Sequence, residues 1–145
     1  MKVLVSACLL GVSCRYDGQS KAYPLVEELC RRHEVVPVCP EQLGGLPTPR
    51  VPAERQGAQV VTKEGGDVTE QYLRGAAEAV HLARKLGCTV AVLKERSPSC
   101  GSGEIYDGSF TGTLTAGFGT AAEALRAAGI RVMGESQLAA FLEEH

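Results

Sequence analysis

Three of the six cysteines in this sequence stand where predicted strands end. Cys8 follows the first predicted strand, Cys39 ends the second, and Cys100 lies in the loop after the third. Parallel strands bring their carboxyl ends to one edge of a sheet, and open α/β sheets bind ligands in the crevice outside that edge. We therefore expect these thiols to converge there, where clustered cysteines indicate metal binding or catalysis.

The other three cysteines have different settings. Cys14 lies in the same predicted loop as Cys8 and could join the group. Cys30 is predicted on the apolar face of the first helix, and Cys88 enters the third strand from the opposite edge of the sheet. Both are expected to pack in the core, as cysteines often do.

Converging thiols are compatible with several sites. Structural zinc usually brings closely spaced cysteine pairs and a fourth ligand, and the sequence has no C-x-x-C. No histidine is expected to help, because His33 and His81 fall on predicted helices and His145 is the last residue. Three cysteines without a fourth ligand leave an open position that an iron–sulfur cluster could use. Chance placement at strand ends stays the alternative.

The segment SPSCGSG at 97–103 surrounds Cys100 with serines and glycines. A cysteine kept for packing prefers an apolar wall. A reactive one prefers an accessible loop, whose backbone N–H groups favour the thiolate. We expect the second situation for Cys100. The same loop could form an anion nest for a phosphorylated ligand, but it lacks the G-K-[ST] of a P-loop.

Strands and helices alternate along the chain, and this order predicts the frame of the site. Strands are expected at 3–7, 35–39, 89–93 and 130–134, and helices at 24–33, 69–86, 121–128 and 135–144. A small β excursion with a Gly-Gly turn is expected at 58–68, whereas 40–55 and 97–117 are expected to be irregular loops. The alternation predicts an α/β fold of one domain over 1–145, with a Rossmann-like, mostly parallel sheet and helices on both faces.

Composition narrows the class of function. The chain has 145 residues, 44% of them hydrophobic and 22% charged, with a net charge of -2, which is typical of a globular domain. This balance does not favour nucleic acid as a partner, and a small, weakly polar substrate fits it better. The apolar run at the N-terminus is too interrupted for a signal peptide, and no stretch approaches the roughly 20 apolar residues of a membrane span. We expect a cytoplasmic protein with no membrane partner.

Four motifs occur in order along nearly the whole chain. They are SACLLGVSCRYDG at 6–18, VCPEQLGGLPTPR at 38–50, LKERSPSCGSGEIYDGSFTG at 93–112 and the turn Gly117-Phe118-Gly119. Together they resemble the thiouracil desulfurase family of iron–sulfur desulfidases. Four motifs in register are much more specific than any one of them alone.

The resemblance implies a cofactor and a reaction. It implies a [4Fe-4S] cluster held by Cys8, Cys39 and Cys100, with the fourth iron free to bind the sulfur of a thiolated pyrimidine base. Thiouracil would become uracil and sulfide without net redox change. Cys14 stays outside the implied ligand set.

The resemblance also implies the groups that act on the substrate. Glu41 would be the acid/base group, together with a serine of SPSC, for which Ser97 is the first choice and Ser99 the second. The residues expected to bind substrate are Ser99, Arg15, Tyr16, Asp17 and Arg50.

Two alternatives stay open. Arg15 and Asp17 could simply form a pair that fixes their turn. A non-catalytic iron–sulfur or zinc-binding protein would give Glu41 and Ser97 no task.

Overall fold

Four parallel strands form the centre of the molecule, which a computed structural model describes over residues 1–145. The strands are β1 Lys2–Ser6, β2 Glu34–Val38, β3 Ala53–Gln56, β4 Gln59–Thr62, β5 Val90–Leu93, β6 Ser102–Tyr106, β7 Leu114–Phe118 and β8 Arg131–Gly134. The helices are α1 Leu25–Arg32, α2 Pro40–Leu43, α3 Thr69–Leu86, α4 Thr120–Ala127 and α5 Leu138–Glu144. The central sheet has the order β2-β1-β5-β8, so β1 and β5 are its inner strands.

Both inner strands are continuous apolar runs because both of their faces are covered. Val3, Leu4 and Val5 of β1 are fully buried, and β5 is buried along its whole length. Helices α1 and α5 cover one face through residues such as Leu29 and Phe141. Helices α3 and α4 cover the other face. The predicted α/β class, with a parallel sheet between helices, is thereby confirmed. None of the helices combines the length and the apolar content that crossing a membrane requires.

The prediction of an irregular loop at 97–117 is partly wrong. Strands β6 and β7 form an antiparallel hairpin within it, paired from Ser102 with Phe118 to Tyr106 with Leu114. Their sequences, SGEIY and LTAGF, each contain a glycine and do not alternate regularly between polar and apolar residues. The two strands are recognisable only from their pairing with each other in the structure.

The segment 40–55, which was also expected to be an irregular loop, is more regular than predicted. It contains the one-turn helix α2 and the strand β3, which pairs antiparallel with β4. The expected Gly-Gly turn is present as a smaller feature, because Val61 bridges to Asp67 across Gly65 and Gly66. The small β excursion is therefore a hairpin that begins earlier in the chain than predicted.

One of the two cysteines expected in the core is not there. Cys88 is buried, whereas Cys30 on α1 is exposed. The inward side of this helix is a narrow stripe in which Val26 and Leu29 are the buried residues, and Cys30 lies one position beyond it.

Helix α2 is held against α3 by two glycines. A Cβ built on Gly75 would lie 1.8 Å from the carbonyl oxygen of Pro40, and one built on Gly44 would lie 2.0 Å from that of Gln71. The two backbones are therefore in direct contact. This contact sets the position of α2, which starts directly after Cys39 and contains Glu41.

Gly75→Ala is expected to lower the free energy of unfolding by about 3 kcal/mol, because the added methyl meets a backbone atom that cannot turn away. Intrinsic helix propensity alone would predict a gain of about 1 kcal/mol. The matched control is Ala77→Gly on the exposed side of the same helix, which should cost about 1 kcal/mol. Urea unfolding of the cluster-free protein measures both, and a Gly75→Ala variant as stable as the wild type would contradict the close contact.

Candidate functional site

A cavity of about 750 Å³ opens at the carboxyl ends of the central strands. Four of the six cysteines line it, namely Cys8, Cys14, Cys39 and Cys100. Cys30 and Cys88 do not. The structure thus brings the three thiols at the strand ends to one site, together with the fourth from the Cys8 loop.

Each of the three strand-end cysteines reaches the cavity from a different local structure. Cys8 lies in a short 3-10 turn, Ala7–Leu10, directly after β1. Cys39 is the residue before the first turn of α2, and its thiol donates to the carbonyl oxygen of Cys14 at 3.7 Å. Cys100 lies in the loop between β5 and β6 and is 5% exposed. These positions follow from the parallel order of the strands.

The thiols are more buried than their polar loops suggested. Burial raises the pKa of Cys8 to about 12 and the pKa of Cys14 to about 12, and neighbouring cysteines add to both shifts. Burial likewise raises the pKa of Cys100 to about 11, although hydrogen bonds from Ser6 and Ser99 oppose this. The expectation of an accessible thiol at Cys100 is wrong, because the loop packs inward and leaves this residue 5% exposed.

The SPSC loop packs against the first turn of α4. The N–H of Thr120 donates to the Pro98 carbonyl at 2.9 Å, and those of Ala121 and Ala122 donate to the Ser99 carbonyl at 2.9 and 3.1 Å. The first N–H groups of a helix have no partner within the helix, so this loop provides them. The contact orients Ser99 and Cys100 in the cavity.

Gly119 allows this approach. A Cβ at Gly119 would lie 2.4 Å from the carbonyl carbon of Ser99, so any side chain there would push the loop away from α4. This close approach is a physical reason for the turn Gly117-Phe118-Gly119 noted in the sequence.

A carboxylate, a hydroxyl and a guanidinium form the polar centre of the cavity. Ser99 Oγ donates to Glu41 Oε2 at 2.8 Å, and Arg50 Nε donates to Glu41 Oε1 at 3.0 Å. The side chains of Arg50 and Glu41 are only 6% and 13% exposed. Arg50 also donates to the Cys14 carbonyl at 2.9 Å, so it ties α2 to the loop that follows Cys8.

Ser97 lies one step further from the carboxylate than Ser99. Its hydroxyl accepts the backbone N–H groups of Ser99 and Cys100 at 3.1 and 3.0 Å, and lies 3.0 Å from the Ser99 hydroxyl. Ser97 therefore holds the turn that presents Ser99, and a hydrogen-bonded chain runs from Ser97 through Ser99 to Glu41.

Three other predicted substrate-binding residues lie on the loop after Cys8. Arg15 and Tyr16 line the cavity, and Asp17 does not. The carboxylate of Asp17 lies 3.5 Å from Arg15 Nε and accepts the backbone N–H of Gln19 at 3.0 Å. These contacts are those expected from the alternative in which Arg15 and Asp17 form a pair that fixes their turn.

Several residues of the cavity were missed in the sequence. Tyr72 has the helical spacing of a core residue, yet it lines the cavity, where burial and the nearby Glu41 carboxylate raise its pKa. Lys94 and Glu135 form an ion pair of 2.9 Å at the ends of β5 and β8. The sequence does contain a signal for these two residues, because both are charged and directly follow apolar strands.

The spacing of the cavity's cysteines does not suit a single metal ion. No three side chains of the His, Cys, Asp or Glu type approach closely enough to hold a single metal ion. The cysteine thiols instead surround the wider cavity described above.

Comparisons with known proteins point to one family. The family model described as 2-thiouracil desulfurase matches residues 3–137. The solved structure of the [4Fe-4S]-dependent thiouracil desulfidase TudS is 50% identical, with a TM-score of 0.92 and 99% of each chain covered. The uncharacterised protein YbbK of Bacillus subtilis strain 168 is 44% identical over 146 residues, which is 94% of this chain and 97% of YbbK. With its fold, its strand-end cysteines and its four motifs, the chain belongs to the 2-thiouracil desulfurase family.

Proposed function

We propose that this protein is an enzyme that removes sulfur from a thiolated pyrimidine base such as thiouracil. A [4Fe-4S] cluster held by Cys8, Cys39 and Cys100 would be its cofactor. The observation that carries the proposal is the meeting of these three thiols with the Glu41–Ser99 pair in one cavity. Membership of the family and the likeness to TudS support the same reaction.

The donor set fits an iron–sulfur cluster. Thiolates are the ligands that such clusters use, and three of them come from three separate strand ends. Metal binding displaces the proton of each thiol, and the raised pKa values of Cys8 and Cys100 mean that these thiols stay neutral near pH 7 until a metal does so. Cys14 also lines the cavity, and we leave it outside the ligand set, as the resemblance to the family implies.

The reaction we propose is a hydrolysis. Water oxygen forms a bond to the ring carbon, the carbon–sulfur bond breaks, and sulfide leaves with the protons, so no electrons are gained or lost overall. When bound, the cluster supplies a Lewis-acidic iron for the substrate sulfur.

Glu41 is the residue we assign as the general base. Its carboxylate lies in the cavity and already accepts a hydrogen bond from Ser99, so a water at that position could donate to it instead. The pair with Arg50 fixes the orientation of the carboxylate. Ser99, and through it Ser97, can pass a proton along the hydrogen-bonded chain to the departing sulfur.

The protein reconstituted anaerobically with iron and sulfide is expected to convert a thiouracil to uracil, releasing equal amounts of uracil and sulfide without a reductant. Chromatography of the base and a sulfide assay measure this. The cluster-free and zinc-loaded proteins serve as controls and should be inactive. A fully loaded cluster that converts neither 2-thiouracil nor 4-thiouracil would favour the non-catalytic iron–sulfur alternative, and a chain that retains zinc but no iron would favour the zinc alternative.

A further inference from the structure

The aromatic side chains of this protein are concentrated around the cavity. All four tyrosines and one of the three phenylalanines line it, and the sequence has no tryptophan. Phe118 and Phe141 do not line it. Aromatic residues usually supply much of the apolar area of a core. Here they form the wall of a ligand cavity, which is suited to a flat ring.

Phe110 differs from the four tyrosines because it has no polar group to be satisfied. It lies at the tip of the β6–β7 hairpin, is half-buried, and lines the cavity. Its φ of +58° lies in the left-handed region, where a bulky residue is a rare outlier. Such backbone conformations persist only where surrounding structure holds them, and they cluster at ligand sites.

A carboxylate from the neighbouring hairpin holds this conformation. Glu54 Oε1 accepts the N–H of Phe110 at 3.1 Å and the N–H of Gly108 at 3.0 Å. Gln56 donates to the Gly108 carbonyl at 2.8 Å. Two side chains of β3, Glu54 and Gln56, therefore hydrogen-bond to the tip of the β6–β7 hairpin. The tip is therefore fixed in place, with Phe110 at the cavity wall.

We propose that Phe110 is a specificity-determining residue whose ring stacks on the pyrimidine ring of the bound base, and that Glu54 is the residue that positions it. This assignment rests on the proposed function, because it takes a thiolated pyrimidine as the ligand. Stacking acts on the ring and not on the sulfur. It should therefore strengthen the binding of substrate and transition state alike, which affects KM and leaves kcat nearly unchanged.

The loss of a base-stacking aromatic typically weakens binding by about 5-fold to 100-fold. We expect Phe110→Ala to raise the KM for thiouracil by this factor, Phe110→Leu to raise it by less, and Phe110→Tyr to stay near the wild type. Kinetics of the cluster-loaded enzyme measure these values. Phe118→Leu is the matched control, because Phe118 lies outside the cavity and packs on Arg126 at 4.0 Å. It should leave KM unchanged.

The positioning role of Glu54 is tested by a double-mutant cycle. Glu54→Ala should raise KM in the wild-type background and add little in the Phe110→Ala background, since a misplaced Phe110 and an absent one are equivalent. Glu54→Gln keeps an oxygen acceptor and should behave nearly as the wild type. Fully additive effects would overturn the assignment of Glu54.

Equilibrium dialysis of thiouracil with the loaded wild type and Phe110→Ala separates this inference from the proposed function. Weaker binding by Phe110→Ala supports stacking even where the wild type shows no turnover, a result that would remove the proposed function alone. Wild-type turnover with equal binding and equal KM for Phe110→Ala would overturn stacking and leave the proposed function in place. Loss of iron from both Phe110→Leu and Phe110→Tyr would also overturn it, because Phe110 would then be needed for the structure of the site.

Discussion

Replacing Glu41 with glutamine is expected to lower kcat by about 10²-fold to 10⁴-fold, the usual cost of losing one positioned acid/base group. Glutamine has nearly the same size, and its amide oxygen can still accept from Ser99 or Arg50. It cannot take a proton from water near neutral pH. Iron content and the absorption spectrum should stay as in the wild type, while the rate of uracil formation falls.

The control is Glu123→Gln, which makes the same chemical change at an ion pair with Arg55 outside the cavity, where Glu123 is 59% exposed. It should keep full activity, because neither residue lines the cavity and an ion pair with an exposed carboxylate contributes little. Glu41→Gln also removes the negative charge that balances the buried guanidinium of Arg50, so the unfolding temperature of the variant is expected to fall. Rates are therefore compared well below that temperature. A loaded Glu41→Gln enzyme that works at the wild-type rate would show that the base lies elsewhere.

Cys100→Ser is expected to abolish cluster binding, and with it all turnover. The serine oxygen is a harder and more weakly bound ligand for cluster iron than a thiolate. Cys14→Ser should retain most of the iron. Both residues line the cavity and both are buried, so the two variants differ in the proposed role and not in setting. Iron and sulfide per chain after anaerobic reconstitution measure the difference.

Cys88→Ser is the further control, since Cys88 is buried outside the cavity and should retain its iron. Equal loss of iron from Cys14→Ser and Cys100→Ser would mean four protein ligands. No iron would then be open to substrate, and electron transfer would become the better function.

The sheet and the gathering of its cysteines could be predicted from the sequence because both depend on local patterns. Apolar runs separated by amphipathic helices indicate parallel strands, and Cys8, Cys39 and Cys100 follow such runs directly. Placement at one edge then needs only the rule that the carboxyl ends of parallel strands coincide.

The details that have no signal in the sequence depend on contacts between distant segments. Ser99 and not Ser97 contacts Glu41, because the SPSC loop is oriented by α4. This helix begins at Thr120, 23 residues after Ser97, and its sequence carries no pattern that matches the loop. Tyr72 reaches Glu41 because two glycines bring α2 and α3 together, and its helical spacing alone indicates core packing. Neither contact has a local signature.

The concentration of tyrosines around the cavity has a spectroscopic consequence. Without tryptophan, the ultraviolet emission of this protein comes from its four tyrosines, and all of them line one site. The body of the fold is nearly silent at those wavelengths. Intrinsic fluorescence therefore reports on the cavity itself, so cofactor loading and ligand entry can be followed in the unlabelled, unmodified protein.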